Sequence, residues 1–384
     1  MKNNDEASER ITRMRTRYLS DVAHISIQRA KYYTESWRET EASDLSQNVR
    51  VAQAVRRVFE RMDITIDPDD RIVGSWTEFF LGVPIDVEKG LFNRVFEVEL
   101  GLWSMIRSIV GQNITFLAYM LRRYGLRALI GSITESSRVG AAMPSIGTTP
   151  MQKRRVNPCA ISRKDKKLLL GGILPYWRGK TIAEELQRRI TDERIYAGDM
   201  EMFAAALPAT TSRKDIVISL GAAIGVWQGH LILDHETPIK KGLLSMQDEV
   251  WRVKDSLTNG DREAMEFLTS VDIALEGVIT YARRLAEALK RELDRETDPE
   301  RRRIIVGMLE ACEWAPLRPA RTFREAVQSY WTVKTAVESW RCPSMSTLRD
   351  GSTSTSSLIT RRTSVRGASP GMRPGSFSRN CCSR

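Results

Sequence analysis

Four side chains that could bind a metal or move a proton stand close together: His230, Asp234, His235 and Glu236. Imidazole nitrogens and carboxylate oxygens are the donors that hold zinc and its neighbours. The spacing argues against that use. His-x-x-x-x-His does not stack two imidazoles on one helix face, and no third histidine is near. The stretch Trp227 to Pro238 therefore reads as a loop without a metal. His230 is read there as a structural hydrogen-bonding histidine or as a polar residue beside a cavity. Glu35 and Trp37 read as a helix end with a packing aromatic, against a role with substrate. Cys159 follows a proline and has no histidine or second cysteine beside it, so it reads as an inert thiol. Lys180-Thr181 lacks the leading glycine of a phosphate-binding loop, and the glycines between 131 and 165 have no dinucleotide spacing.

Helices must position these groups. Ala264, Phe267, Leu268, Val271, Ala274, Leu275, Val278, Ala282, Leu285, Ala286, Leu289 and Leu293 recur at gaps of mostly three and four, one apolar stripe along one face. Asp298-Pro299 reads as a restart, a capping side chain followed by a residue suited to the first helical position. Ile304, Ile305, Met308, Leu309 and Cys312 continue that second helix until Pro316 and Pro319 break it. Thr322 with Glu325 is a capping box for a third helix through Val327, Tyr330 and Trp331, and Thr181 with Glu184 is another. Residues 1 to 60 read as helix, with a stripe at Val51, Ala54, Val55, Val58 and Phe59. Pro68-Asp69-Asp70 is a turn, and Arg71 to Thr77 reads as a short buried strand. Helical text resumes from Phe92 to about Tyr124, residues 131 to 165 are the least regular, and Asp215 to Leu220 is a further strand candidate.

Several strings resemble the glycyl radical enzymes, the pyruvate formate-lyase-like superfamily. They are Arg29-Ala30 with Glu35-Ser36, Tyr176-Trp177-Arg178-Gly179-Lys180-Thr181, Gly229-His230 with Lys241-Gly242-Leu243, Tyr281 to Ala286, Glu310 to Pro316, and Ala320 to Trp331. The resemblance covers residues 11 to 338. It implies a helix-dominated α/β fold, the incomplete N-terminal part of a barrel in which two half-barrels enclose the active site. It also implies hydrogen abstraction by a cysteine thiyl radical, generated by a glycyl radical that an S-adenosylmethionine radical activase installs. Parent reactions range from formate acetyltransferase to diol dehydratase and related C–C, C–O and C–N lyases. In such enzymes the reactive cysteine lies beyond the helix that starts near Thr322, and the radical glycine much further on. Neither has a counterpart here, so no catalytic residue is assigned and the 384 residues alone are expected to be inactive. His230 is the substrate-pocket candidate. The partners implied are an activating enzyme, a homodimer partner and a separate C-terminal half. The alternative is a non-catalytic helical interaction protein or half of a split enzyme.

Charge separates the last residues from the rest. The formal net charge is +11. Residues 341–384 hold eight arginines and one aspartate, +7, which leaves +4 for the first 340 residues. That balance does not make the body a nucleic-acid binder. The same tail holds eleven serines and five threonines with no apolar period. It reads as a disordered basic tail from residue 339 to 384, following an N-terminal domain of residues 1 to 338. Shifting the codons of Ser344 to Ser357 by two bases permits a string ending Gly-Arg-Phe-Asp-Gln-Tyr-Leu-Phe, close to what the family carries after that third helix. A shifted reading frame is therefore expected to have produced the tail. Five irregularly spaced cysteines fit a reducing cytoplasm, and no apolar run is long enough to span a bilayer.

Overall fold

The computed structural model describes residues 2–90, 93, 96, 158–182, 184–185, 188, 233–257 and 261–338. The chain divides into two compact units. One holds Met1–Asp21, Tyr32–Gly82 and His230–Arg384, and the other holds Val22–Lys31 and Val83–Gly229. The elements are α1 (Lys2–Ser20), β1 (Ala23–Ser26), α2 (Gln28–Glu39), α3 (Gln47–Arg61), β2 (Gly82–Pro84), β3 (Cys159–Ala160), α4 (Arg163–Leu168) and α5 (Leu174–Trp177), the last two joined by a π-helical turn, Leu169–Ile173. Then follow α6 (Glu236–Lys241), α7 (Leu243–Ser256), α8 (Arg262–Arg295), α9 (Pro299–Trp314) and α10 (Phe323–Glu338). Helix dominates, as expected. No helix among the described residues is long and apolar enough to cross a membrane.

The first unit is built on α8. Its periodic apolar face buries Ile279, Ala282, Leu285 and Leu289, and α9 returns alongside it with Ile305, Met308, Ala311 and Cys312 buried. The reversal between them forms as its sequence dictates: the Asp298 carboxylate accepts from Arg301 N at 2.7 Å, and Pro299 takes the first helical position. On another side α3 lies against α8. A Cβ at Gly277 would come within 2.9 Å of Arg56 Cα, so the close approach depends on glycine. Arg284 seals the junction, donating to the carbonyls of Phe59 and Met62 at the end of α3 (2.6 and 2.8 Å). Helix α7 completes a cluster of Leu243, Ile279, Ala282 and Leu317. Gly242 links α6 to α7 at φ +81°, and a side chain there would also meet the Arg318 backbone at 2.6 Å.

The second unit contains the only sheet among the described residues, three short strands in the order β2-β1-β3, with β1 and β3 parallel. Its firmest contact is an ion pair. Arg29 donates through both terminal nitrogens to the Glu88 carboxylate (3.0 and 2.5 Å) and also to the Ile85 carbonyl at 3.0 Å. Ile182 N donates to the Glu88 carbonyl at 2.9 Å. The capping box of Thr181 and Glu184 forms, Glu184 N donating to Thr181 Oγ1 (3.3 Å) and Thr181 N to the Glu184 carboxylate (3.2 Å).

Four expectations change. Residues 1 to 60 are not helix throughout: Ala23–Ser26 is a strand, because β3 offers it a parallel partner far along the chain. Helix starts at Glu236, inside the stretch expected to be loop, and α7 precedes the long hairpin. Phe267, placed on the apolar stripe, is 55% exposed. Arg71–Thr77 is buried at its centre, yet it is no strand: it bends at both ends, and Gly74 has φ +124°. Side chains satisfy its backbone in place of a neighbouring strand. The helical text from Phe92 to Tyr124 is described only at Asn93 and Phe96, both helical. The Asp215–Leu220 candidate and residues 339–384 lie outside the described residues.

Candidate functional site

His230 lies outside the described residues, so the structure adds nothing about the pocket assigned to it. Its neighbours are described, and each has a local task. The Asp234 carboxylate accepts from Thr237 N (3.0 Å) and from the Thr237 hydroxyl (2.6 Å), opening α6. Those hydrogen bonds, the hydroxyl's first, hold its pKa below the ordinary aspartate value. Glu236 pairs with Lys240 one turn on. His235 is buried with its ring 4.3 Å from that of Tyr330 on α10. No group of three or more histidine, cysteine or acidic side chains able to hold a metal occurs among the described residues.

Glu35 sits within α2, short of its last residue. Trp37 is a packing aromatic: it stacks on Tyr33 at 5.8 Å, and the Arg50 guanidinium lies 4.2 Å from its ring. Arg50 also donates to the Trp37 carbonyl at 3.1 Å, closing the end of α2. Cys312 is buried, and loss of solvent pushes its thiol well above the ordinary range. A thiol so placed is no ready nucleophile.

The most elaborate polar construction in the first unit is the grip on Val73–Ser75. Gln328 on α10 uses both ends of its amide. It accepts from Val73 N at 3.2 Å and donates to the Val73 carbonyl at 2.8 Å, as a neighbouring strand would. Trp331, one turn on, donates its indole N–H to the Gly74 carbonyl at 2.8 Å. Tyr281 on α8 accepts from Ser75 N at 3.2 Å and donates to the Ser75 carbonyl at 3.1 Å. Burial raises the Tyr281 pKa far above the ordinary phenol, so the hydroxyl keeps the proton it donates. Gly74 has φ +124°, a conformation other residues rarely adopt. Beyond it, the indole rings of Trp76 and Trp331 lie 5.7 and 5.8 Å from the Lys334 ammonium, a buried group.

These residues position backbone; none of them is arranged as a nucleophile and base pair. The sequence pointed to Tyr281, Gln328 and Trp331 only as parts of family-like strings. Their task was not visible because Gln328 and Val73 are 255 residues apart. Glu88 gave no signal at all. The capping box that starts α10 was legible, and it forms: Glu325 N donates to Thr322 Oγ1 at 3.2 Å and Thr322 N to the Glu325 carboxylate at 3.3 Å.

Comparison with known proteins agrees with this architecture. Residues 4–94 and 126–349 match the family described as Pyruvate formate lyase-like. The chain is 26% identical over 311 residues to the isethionate sulfite-lyase of Nitratidesulfovibrio vulgaris, covering 80% of this chain and 30% of that relative. Two solved structures share the fold. The glycerol-bound B12-independent glycerol dehydratase from Clostridium butyricum aligns with TM-score 0.66 and 18% identity, over 98% of this chain and 39% of that one. A glycyl radical enzyme from Archaeoglobus fulgidus aligns with TM-score 0.65 and 21% identity, over 97% and 39%. In each case the chain spans well under half the length of its relative. The helix-dominated body is thus part of a glycyl radical enzyme α/β barrel, and the chain belongs to the Pyruvate formate lyase-like family.

Proposed function

We propose that these 384 residues are the N-terminal framework of a glycyl radical lyase and do not turn over substrate by themselves. The observation that carries this reading is the family match over most of the chain combined with the small share of each relative that the chain spans. The parent reaction is a bond-breaking elimination. The sulfite-lyase relative and the dehydratase of like fold are named for leaving groups lost from small polar substrates, and a C–S or C–O lyase fits both. The resemblance supplies the chemistry, a thiyl radical on cysteine generated from a glycyl radical. The described cysteines do not suit that part: Cys312 is sealed in the core, and Cys159 lies at the edge of a small sheet.

What these residues contribute is position. Gln328, Trp331 and Tyr281 fix the backbone of Val73–Ser75 without a sheet. Helix α10 leads toward the point where the family resemblance places the barrel's reactive half. His230 is the substrate-pocket candidate of this segment, on the family resemblance alone. The basic text of residues 339–384 is on this reading the product of a shifted frame, and the nucleotides across codons 335 to 345 test that directly. The partners on this reading are an activating enzyme, a second copy and a chain carrying the remaining barrel, all in a reducing cytoplasm.

The deciding measurement is electron paramagnetic resonance under strict anoxia, with an activating enzyme and S-adenosylmethionine present. The 384 residues alone are expected to give no glycyl radical signal and no turnover of isethionate or glycerol. A glycyl doublet from this chain alone would overturn the reading.

A further inference from the structure

Helix α1 is attached differently from every other long helix of its unit. From Ser8 to Ser20 only Arg10 and Met14 are buried. The side that docks is Arg10, Arg13, Met14 and Arg17, at the i, i+3, i+4 and i+7 spacing of one helix face. Three of those four are arginines, so the face offers one thioether where an ordinary docking face would offer several apolar side chains. The surface it meets is the turn at Asp67–Asp70 and the segment just after it. Arg13 pairs with Asp69 at 2.8 Å and Arg17 with Asp67 at 2.5 Å. Arg10 donates to the Asp69 carbonyl at 2.8 Å, and the Arg17 guanidinium lies 4.0 Å from the Phe80 ring centre.

The same turn is gripped independently from the body. Arg301 on α9 donates to the carbonyls of Asp70 and Asp67, each at 2.8 Å. Asp70, itself buried, accepts from Asp67 N at 2.8 Å, and the Asp67 carboxylate accepts from Asp69 N at 3.0 Å. The turn is therefore folded by its own hydrogen bonds and by Arg301. It needs α1 for none of them.

We infer that α1 is a detachable strap, held over the Asp67–Asp70 turn by arginine–carboxylate pairs and released by ionic strength while the turn beneath stays in place. Exposed ion pairs each contribute little and are screened once the Debye length falls from about 10 Å at ~0.1 M salt to about 3 Å at ~1 M. One buried methionine does not replace them. The apolar contacts of α8 are not weakened in this way, so salt loosens α1 and leaves α8 as it is.

Hydrogen exchange of the full chain, read by mass spectrometry, tests this. Between ~0.1 and ~1 M sodium chloride, exchange in residues 8–20 is expected to rise on the order of 10-fold, and exchange in the buried half of α8 is expected to stay level. Arg13→Glu alone gives the same rise at low salt. Arg13→Glu combined with Asp69→Arg restores protection, a result that a merely unfolded variant cannot produce. Salt-independent exchange in residues 8–20, an equal rise in α8, or failure of the charge swap to restore protection each rejects the strap.

Discussion

Arg29–Glu88 and Arg13–Asp69 are the same chemical pair in opposite surroundings. In the second unit the Arg29 and Glu88 side chains are 4% and 11% exposed, whereas in the first unit Asp69 is 18% exposed and its partner Arg13 is 59% exposed. Both carboxylate oxygens of Glu88 are engaged by the guanidinium fork, and Arg29 Nη1 also donates to the Ile85 carbonyl. The Asp69 carboxylate accepts from Arg13 Nη2 through one oxygen, Oδ1. A buried pair is costly to break because the surviving partner is left charged without water. An exposed pair loses little, because water and salt replace what is removed. The same residue types thus make a fixed point in one unit and a releasable contact in the other.

The largest effect is expected at the buried pair. Glu88→Ala should destabilise the chain by about 3–5 kcal/mol, read from chemical unfolding, since it leaves the Arg29 guanidinium buried and uncompensated. Its pH dependence sharpens the point. Burial raises the Glu88 pKa, but Arg29 outweighs burial and holds it below the ordinary 4.5. A depressed carboxylate contributes stability above its unfolded pKa and loses it as pH falls through the folded value. The stability gap between the natural chain and Glu88→Gln should therefore be widest near neutral pH and narrow below 4.5. A gap that stays constant down the acid limb would mean the pair is not ionised.

Next in size is the amide grip. Gln328→Leu keeps the volume but strands Val73 N and O in a buried place, at roughly 1–3 kcal/mol for each unsatisfied group. Tyr281→Phe removes the hydroxyl that serves both backbone groups of Ser75, and about 1–3 kcal/mol is expected. Proton exchange at Val73 and Ser75 should accelerate selectively in the matching variant. If Gln328→Leu leaves exchange at Val73 unchanged, the amide is not the group that protects it.

How much of this was written in the sequence depends on distance along the chain. Asp298-Pro299, Thr322 with Glu325 and Thr181 with Glu184 act within one helical turn, and all three were legible. The stripe from Ala264 to Leu293 was legible because its period is local, although Phe267 shows that a period does not say how much of a face is covered. The strand at Ala23–Ser26 was missed because its text continues a helical pattern and its partner, β3, is far away. Segment Arg71–Thr77 reads as a short buried strand, and only the burial of its centre holds. Apolar text bounded by turn residues cannot distinguish a strand neighbour from the side chains of Gln328, Trp331 and Tyr281. Helix α6 was hidden by Pro238 and by the loop-like composition around it. Of the candidate site, Asp234, His235 and Glu236 turned out to have structural duties.

The smallest effect is the one that most directly separates the two kinds of ion pair. Arg13→Gln removes one exposed pair and leaves Arg10, Met14 and Arg17 in place. Its cost to global stability should be no more than about 0.2–1 kcal/mol at low salt, and it should shrink further at high salt. The reason lies in what remains: the Arg13 side of the pair is open to water, Asp69 is only half-buried, and the turn keeps the Asp67, Asp70 and Arg301 hydrogen bonds that fold it. The cost at Glu88 should be nearly indifferent to salt, because ions do not enter its site. Measuring both variants at two ionic strengths places them on one scale. If Arg13→Gln cost as much as Glu88→Ala, burial would not be what distinguishes them, and α1 would have to be counted among the fixed elements of its unit.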